Sequence, residues 1–297
     1  MSRKKVVISL SEAAELVKDG DRVGIGGFVT TNKPMALLRE VMRLRRRDLT
    51  IIAPPSSLEV DMLIGLGLVK KLVTPYLGAE AIAPLGPFHS AWAGTKFTIE
   101  ETDLGTLVAG LRAYALSLPF MPSRGPLGTS LLQLNPTLRY VEDPFGGPPL
   151  IAVPPMEADI VLIHASQADE YGNVQHLGAP FLDPLFVQAG KTVIVQVEKI
   201  VPPEVIRSQP EKTTLISEYV DAIVHVPYGA HPMASQNFYR VDDKHLQEYV
   251  GIAKASTKGD NAAFAEFVTN FIDGPANHTS YLEKIGLTRL FELGEGV

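Results

Sequence analysis

An α/β fold with a mainly parallel sheet covered by helices on both faces is predicted by three observations. Short apolar strands alternate with amphipathic helices from about residue 10 to residue 75. Three later segments, Asp159 to His164, Thr192 to Val197 and Ala222 to Val226, are brief runs rich in Val and Ile. That is the composition of parallel strands buried on both faces. The chain has 297 residues, 45% hydrophobic and 20% charged, enough to bury a large core without a covalent staple.

Each element carries its own local reason. Ser9-Leu10-Ser11-Glu12 is a capping-box pattern that opens a short helix, ended by Asp19-Gly20. Arg22 to Ile25 reads as a strand running into Gly26-Gly27. Pro34 suits a first helical turn, and Met35, Leu37, Leu38, Val41, Met42 and Leu44 follow at helical spacing. Leu49 to Ala53 is an apolar strand stopped by Pro54-Pro55, before a helix over Leu58 to Ile64 and a strand at Leu72-Val73. From Tyr76 to Pro155 the chain is dense in Gly and Pro, which predicts long loops and short strands around one helix, Gly105 to Leu116. After the three apolar strands, Asp242 to Phe271 reads as helical, and 273–297 as a segment packed on the body or on a partner. No repeat or linker divides the chain, so residues 1–297 are read as one domain with a helical C-terminal extension from about residue 242.

Composition narrows the function. There is no cysteine, so disulfides, thiolate metal ligands and a cysteine nucleophile are excluded within this chain. A net charge of −6 argues against nucleic acid as a general partner. The basic cluster Arg43, Arg45, Arg46 and Arg47 is read as a solvated helix end that complements the helix dipole. His225 and His231 lack a ligand pattern, and no metal is expected. Met1 to Lys5 is basic, but no signal-peptide core follows, and no apolar run approaches membrane-spanning length. A cytoplasmic protein without membrane association is expected.

Gly26-Gly27 stands between a strand and a helix, where glycine permits positive φ and close approach of another group to the backbone. The helix near Pro34 would offer free amides to an anion or a carbonyl oxygen. A tight turn without a ligand fits this pattern as well as a binding site does. It is not a dinucleotide fingerprint, because the third glycine is missing, and no phosphate loop ending in Gly-Lys-Ser/Thr occurs.

Asp19-Gly20, Gly26-Gly27-Phe28 and the following Pro34 resemble the class I CoA-transferase α-subunit signature, with Gly24 inside the apolar triplet and Asn32 where glycine is usual. Further segments are similar to that family in order: Tyr76-Leu77-Gly78-Ala79-Glu80, Gly105-Thr106-Leu107, Leu118-Pro119-Phe120, Ala158 to Ala165 with Asp169 and Asn173, and Val193 to Val201. Met35, Val141 to Phe145 and the Ala168-Asp169-Glu170-Tyr171-Gly172-Asn173 stretch resemble the glutaconate CoA-transferase branch. That branch also holds relatives resembling an acyl-CoA decarboxylase and a ring-opening steroid hydrolase.

The resemblance implies an α-type half whose substrates are coenzyme A esters and which holds no permanent cofactor. It also implies a β-type partner, in a heterodimer or larger assembly, that supplies a nucleophilic glutamate in a Ser-Glu-Asn-Gly-like context absent here. This chain would contribute pocket walls and oxyanion donors. Gly26, Gly27, Phe28, Thr30, Thr31, Lys33, Ser56, Ser57, Gly78, Glu80 and Arg124 are the substrate and CoA contacts expected on that basis. Lys33 is read either as a carboxylate contact or as a solvated helix-start residue, and Ser56 and Ser57 either as ligand contacts or as a helix cap. Arg124 would clamp a carboxylate with its planar fork. Asn32 would narrow or reshape the substrate loop. His89 and Glu101, with Glu100 beside it, are the auxiliary acid–base candidates. Hydrolysis, carbon–carbon cleavage or decarboxylation of an acyl-CoA on the same scaffold is the alternative chemistry. A CoA-ester-binding chain without turnover is the non-enzyme alternative.

Overall fold

The computed structural model describes residues 4–79 and 96–296. Helix α1 (Leu10–Glu15) opens on the expected capping box, in which Ser9 and Glu12 bond each other's backbone amides. It ends earlier than the sequence suggests, and Gly20, with φ +83°, turns the chain into strand β1 (Arg22–Ile25). Then follow α2 (Met35–Arg43), β2 (Leu49–Ile52), α3 (Leu58–Gly65), β3 (Val69–Val73) and β4 (Thr98–Ile99). Helix α4 (Leu104–Ala115) matches the expected one and is capped by the Asp103 carboxylate on the Thr106 amide. The Gly- and Pro-rich middle contributes β5 (Met121–Ser123), the single turn α5 (Leu131–Leu134), β6 (Arg139–Val141) and β7 (Leu150–Val153). These three strands form a separate antiparallel sheet.

The last third supplies β8 (Ala158–Ala168), β9 (Val174–Gln175), α6 (Asp183–Gln188), β10 (Gly190–Ile200), α7 (Pro203–Ser208), β11 (Thr213–Leu215) and β12 (Ala222–His225). Seven strands run parallel in the order β12-β10-β8-β1-β2-β3-β4. Strands β9 and β11 add an antiparallel flap on the end of β8. The main sheet is therefore mostly parallel. One face carries Val23, Ile25, Ile51, Leu162 and Ile194 under α1, α2, α3 and the C-terminal helices; the other carries Val161, Ile163, Val193 and Val195 against α4 and α6. The alternation of strand residues between two apolar layers explains why their sequences lack a polar face.

Chain order places the site. From β1 the chain winds outward through β2, β3 and β4, then returns to the other side of β1 for β8, β10 and β12. The gap between β1 and β8 is thus the topological switch point, the position where open α/β sheets bind ligands beyond the carboxyl ends of their strands. Gly26 and Gly27 lie there, directly after β1.

The C-terminal segment is helical in several pieces. The segment from Asp242 is not one helix: α8 (Asp243–Ser256) stops, Gly259 takes φ +89°, and α9 (Ala262–Val268) starts anew. Helices α10 (His278–Ile285) and α11 (Leu287–Gly294) fold back on the body, where Tyr281 is buried and the Arg240 amide bonds the Leu293 carbonyl. The basic cluster is likewise more than a solvated end, since Arg43 bonds the Ile272 carbonyl and Arg45 pairs with Asp273. Among the described residues no helix is long and apolar enough to cross a membrane.

Candidate active site

Both glycines after β1 are dictated by what surrounds them. A Cβ on Gly26 would lie 2.5 Å from Asp183 Oδ1 and from Ile163 Cδ1. Gly27 has φ +74°, and a Cβ there would lie 2.6 Å from the Asn32 carbonyl carbon and the Thr31 oxygen. The group that approaches this backbone is therefore internal: the Asp183 carboxylate, which accepts the Gly27 N–H at 2.8 Å. Gly27→Ala is expected to cost about 1–2 kcal/mol of unfolding free energy from the left-handed backbone alone, and more from overlap with the pinned Thr31–Asn32 carbonyls. A urea midpoint equal to that of the wild type would contradict this reading.

The turn is closed on itself and tied at both sides. Phe28 and Thr31 exchange backbone hydrogen bonds of 2.8 Å, Val29 N–H donates to the Pro55 carbonyl, and Asn32 N–H donates to the Ala234 carbonyl. The Phe28 ring stacks on Phe181 at 5.2 Å between centroids. Asn32 has φ +54°, a region where Asn substitutes for Gly more readily than other residues. Its side chain is buried and its Oδ1 accepts the Gln236 N–H. Asn32 thus adopts the left-handed backbone that a glycine would take and ties the loop to Gln236.

Lys33 is not a solvated helix-start residue. It is completely buried, and its ammonium donates to Glu59 Oε1 at 3.0 Å, Ser56 Oγ at 3.2 Å and the Pro55 carbonyl at 3.4 Å. All three protons of the ammonium are committed inside the chain. Ser56 and Ser57, at the carboxyl end of β2, are fully buried beside it. Ser56 Oγ donates to the Pro54 carbonyl, and its backbone bonds Tyr76 and Gly78. Ser57 is the residue before α3, yet its side chain makes no capping bond, and its Oγ has no hydrogen-bond partner among the described residues. The structure therefore brings Gly26, Gly27, Phe28, Thr30, Thr31, Lys33, Ser56, Ser57 and Gly78 together at one edge of the sheet.

The amides of α2 are not free, contrary to what its sequence implies. Ala36 N–H donates to the Gly229 carbonyl and Leu37 N–H to Gln196 Oε1. Gln196 also bonds His164, whose ring meets Ser235 Oγ at 2.9 Å and Glu198 at 3.2 Å. Tyr239 donates to the same Glu198 carboxylate. This buried network fixes the floor beneath α2, and its members are contributed by β8, β10 and the 228–239 loop. His164 sits inside it.

Three candidates stand elsewhere. Glu101 is exposed and follows β4, three strand spacings or about 14 Å from β1; among the described residues only its carbonyl is used, by Asn135. Glu100 pairs with Lys71 and lines a crevice of about 240 Å³ between the main sheet and the small one. Arg124 is exposed directly after β5, a strand that packs on α4 and β7. Glu80 and His89 lie outside the described residues.

Sequence reasoning missed Glu59, His176, Asp183 and Thr214. Signals existed for Glu59 and Asp61: two carboxylates in the otherwise apolar stretch Leu58 to Ile64 demand buried partners, here Lys33 and Tyr249.

Known proteins share the fold. The profile described as Coenzyme A transferase matches residues 7–226. The chain is 34% identical to one of the subunits of glutaconate CoA-transferase from Acidaminococcus fermentans, over 97% of this chain and 94% of that relative. The crystal structure of glutaconate coenzyme A-transferase from the same organism matches with a TM-score of 0.90 at 31% identity, covering 97% of this chain and 95% of that one. The cholesterol ring-cleaving hydrolase IpdA subunit of Mycobacterium tuberculosis is 30% identical over 95% of this chain and 98% of its own. The structure of the decarboxylase AibA/AibB matches with a TM-score of 0.76 at 29% identity, covering 89% of this chain and 99% of that one.

Proposed function

This chain belongs to the coenzyme A transferase family, and from that premise we propose that it is the α-type half of an acyl-CoA:carboxylate CoA-transferase. The carrying observation is the convergence of the Gly26–Thr31 turn with Ser56, Ser57 and Gly78 at the switch point of the sheet. In this reading the edge is one wall of a CoA-ester pocket, and a β-type partner completes it. The partner's glutamate attacks the thioester carbonyl and expels CoA thiolate to give an anhydride; the thiolate then attacks the glutamyl carbonyl, forming a glutamyl-CoA thioester and releasing the acyl group as its carboxylate. No residue of this chain has to be the nucleophile: its carboxylates near the turn, Glu59, Asp183 and Glu198, are each buried and bonded to neighbours. What this wall supplies is fixed polar groups for the oxygen that gains charge in the transition state.

Two relatives support a second reading, since a decarboxylase and a ring-cleaving hydrolase share this chain's length and fold. One experiment separates the two. Co-purified with the product of the neighbouring reading frame and incubated with acyl-CoA, a transferase accumulates a glutamyl-CoA thioester on the partner, which borohydride traps and mass spectrometry locates. An enzyme pair that consumes acyl-CoA without forming that adduct is a hydrolase or decarboxylase, and the transferase reading is then wrong.

A further inference from the structure

The turn that carries the family signature has almost no free donors. The amides of Gly26, Gly27, Phe28, Val29, Thr31 and Asn32 donate to Leu162, Asp183, Thr31, Pro55, Phe28 and Ala234 in that order. Among the described residues, only the Thr30 N–H in this stretch lacks an acceptor, and Thr30 is partly exposed at the tip. The glycine amides, the obvious candidates for binding a developing oxyanion, are occupied.

What occupies Gly27 is itself held by a chain of buried groups. Asp183 opens α6; its Oδ1 accepts the Gly27 N–H, and its Oδ2 lies 3.1 Å from His176 Nε2. Both side chains are fully buried. His176 Nδ1 lies 2.6 Å from Thr214 Oγ1 on β11. The arrangement closes if the Thr214 hydroxyl donates to Nδ1 and the Nε2 proton is donated to the carboxylate. A residue on the antiparallel flap thereby orients a residue after β9, which orients a carboxylate against the glycine turn. Phe181, two positions before Asp183, grips the next turn residue by stacking on Phe28. The segment 176–183 clamps the turn through a carboxylate and a ring.

We propose that Asp183 is a positioning residue for the site, and that it sets the turn so that the Thr30 N–H is the donor offered to a carbonyl or carboxylate oxygen of the bound ester. The assignment rests on the CoA-ester reading of this edge. It makes the glycine pair a requirement of the clamp: Gly26 has no side chain because Asp183 packs on it, and Gly27 presents its amide to the same carboxylate.

The test compares Asp183→Ala with Asp183→Asn in the chain co-purified with its β-type partner. Asparagine keeps an oxygen for the Gly27 N–H, and its amide donates to His176 once that ring shifts its proton to Nδ1, where Thr214 accepts it. Asp183→Ala should speed amide exchange across Gly26–Asn32 by about tenfold or more while leaving the β8 and β10 amides protected. It should also lower kcat for acyl-CoA turnover by about tenfold or more with KM changed less than about threefold. Asp183→Asn should restore most of both. Equal losses in the two variants, with equal drops in Tm, would show that Asp183 only supports the fold; unchanged exchange in Asp183→Ala would remove the clamp altogether. If the wild-type pair turns over no acyl-CoA, the functional reading fails by itself, and the exchange comparison still decides whether the clamp exists.

Discussion

Lys33→Met is expected to lower the unfolding free energy by about 3–5 kcal/mol, the usual cost of stripping one partner from a buried ion pair. Methionine matches the length of the lysine stem, so the loss is not one of volume. It arises because Glu59, completely buried, is left among the described residues with only the Ser57 amide at 3.2–3.3 Å. Ser56 Oγ and the Pro55 carbonyl lose a donor as well. Replacing both ends, Lys33→Met with Glu59→Leu, should recover most of the stability, because a well-packed apolar pair can match a buried ionic one. Urea denaturation of the two single variants and the double gives the coupling directly. Additive losses would mean that the pair is not energetically coupled. The double variant also decides the role of Lys33: as a tie between α2 and the Pro54–Ser57 loop, it should leave CoA-ester binding by the reconstituted pair within a few fold of wild type. A loss of about a hundredfold in the refolded double variant would make Lys33 a ligand contact after all.

Lys33 and Asp183 also show where sequence reading stops. Periodicity identifies α2, α4, the apolar parallel strands and the strand–turn–helix around Gly26-Gly27, because those patterns are local and are set by a shared buried environment. The same periodicity is blind to pairings between distant segments. Glu59 is 26 positions beyond Lys33 and Asp183 is 156 beyond Gly27. An Asp before a Pro at a helix start reads as an ordinary first-turn acid, and nothing near Asp183 in sequence shows that its carboxylate faces a backbone amide of β1's turn. The glycine pair permits two readings, a bare turn or a close approach, and only the three-dimensional structure identifies the approaching group as the protein's own carboxylate. The break between α8 and α9 is more legible: Gly259-Asp260-Asn261 interrupts the helical stretch, but the apolar residues on either side keep the helical spacing and mask it. Arg124 is hard to place from sequence for a topological reason, since a loop rich in Gly and Pro can belong to a separate sheet as readily as to the rim of a pocket.

Acid should destabilise this protein well above the carboxylate range, through histidines buried in the C-terminal layer. His245 is buried among Phe267 and Phe271, and that burial pushes its pKa down to about 3. His231 is buried too and also titrates below its ordinary range; its Nε2 faces Asp242 at 3.0 Å, its Nδ1 faces the Tyr281 hydroxyl at 2.7 Å, and Arg39 and Arg289 stand close by. A histidine with a depressed pKa in the folded state binds a proton more readily when unfolded. Stability from it is full above about pH 6.5 and is lost as the pH falls towards about 3, at about 1.4 kcal/mol per pH unit. Asp242 has the opposite charge and the same sign of effect: Arg289 and His231 hold it below the usual carboxylate range despite burial, so its contribution disappears only below about pH 4. Between pH 6.5 and 4.5 the histidines therefore act first. His245→Phe keeps a ring against Phe267 and Phe271 but has nothing to protonate. Over those two pH units the wild type should lose about 2–3 kcal/mol more unfolding free energy than His245→Phe does. Parallel stability profiles for the two proteins would mean that His245 is protonated with equal ease in the folded and unfolded chain. A residual slope in the variant should in turn fall when His231 is replaced, because Asp242 has not begun to titrate in that window.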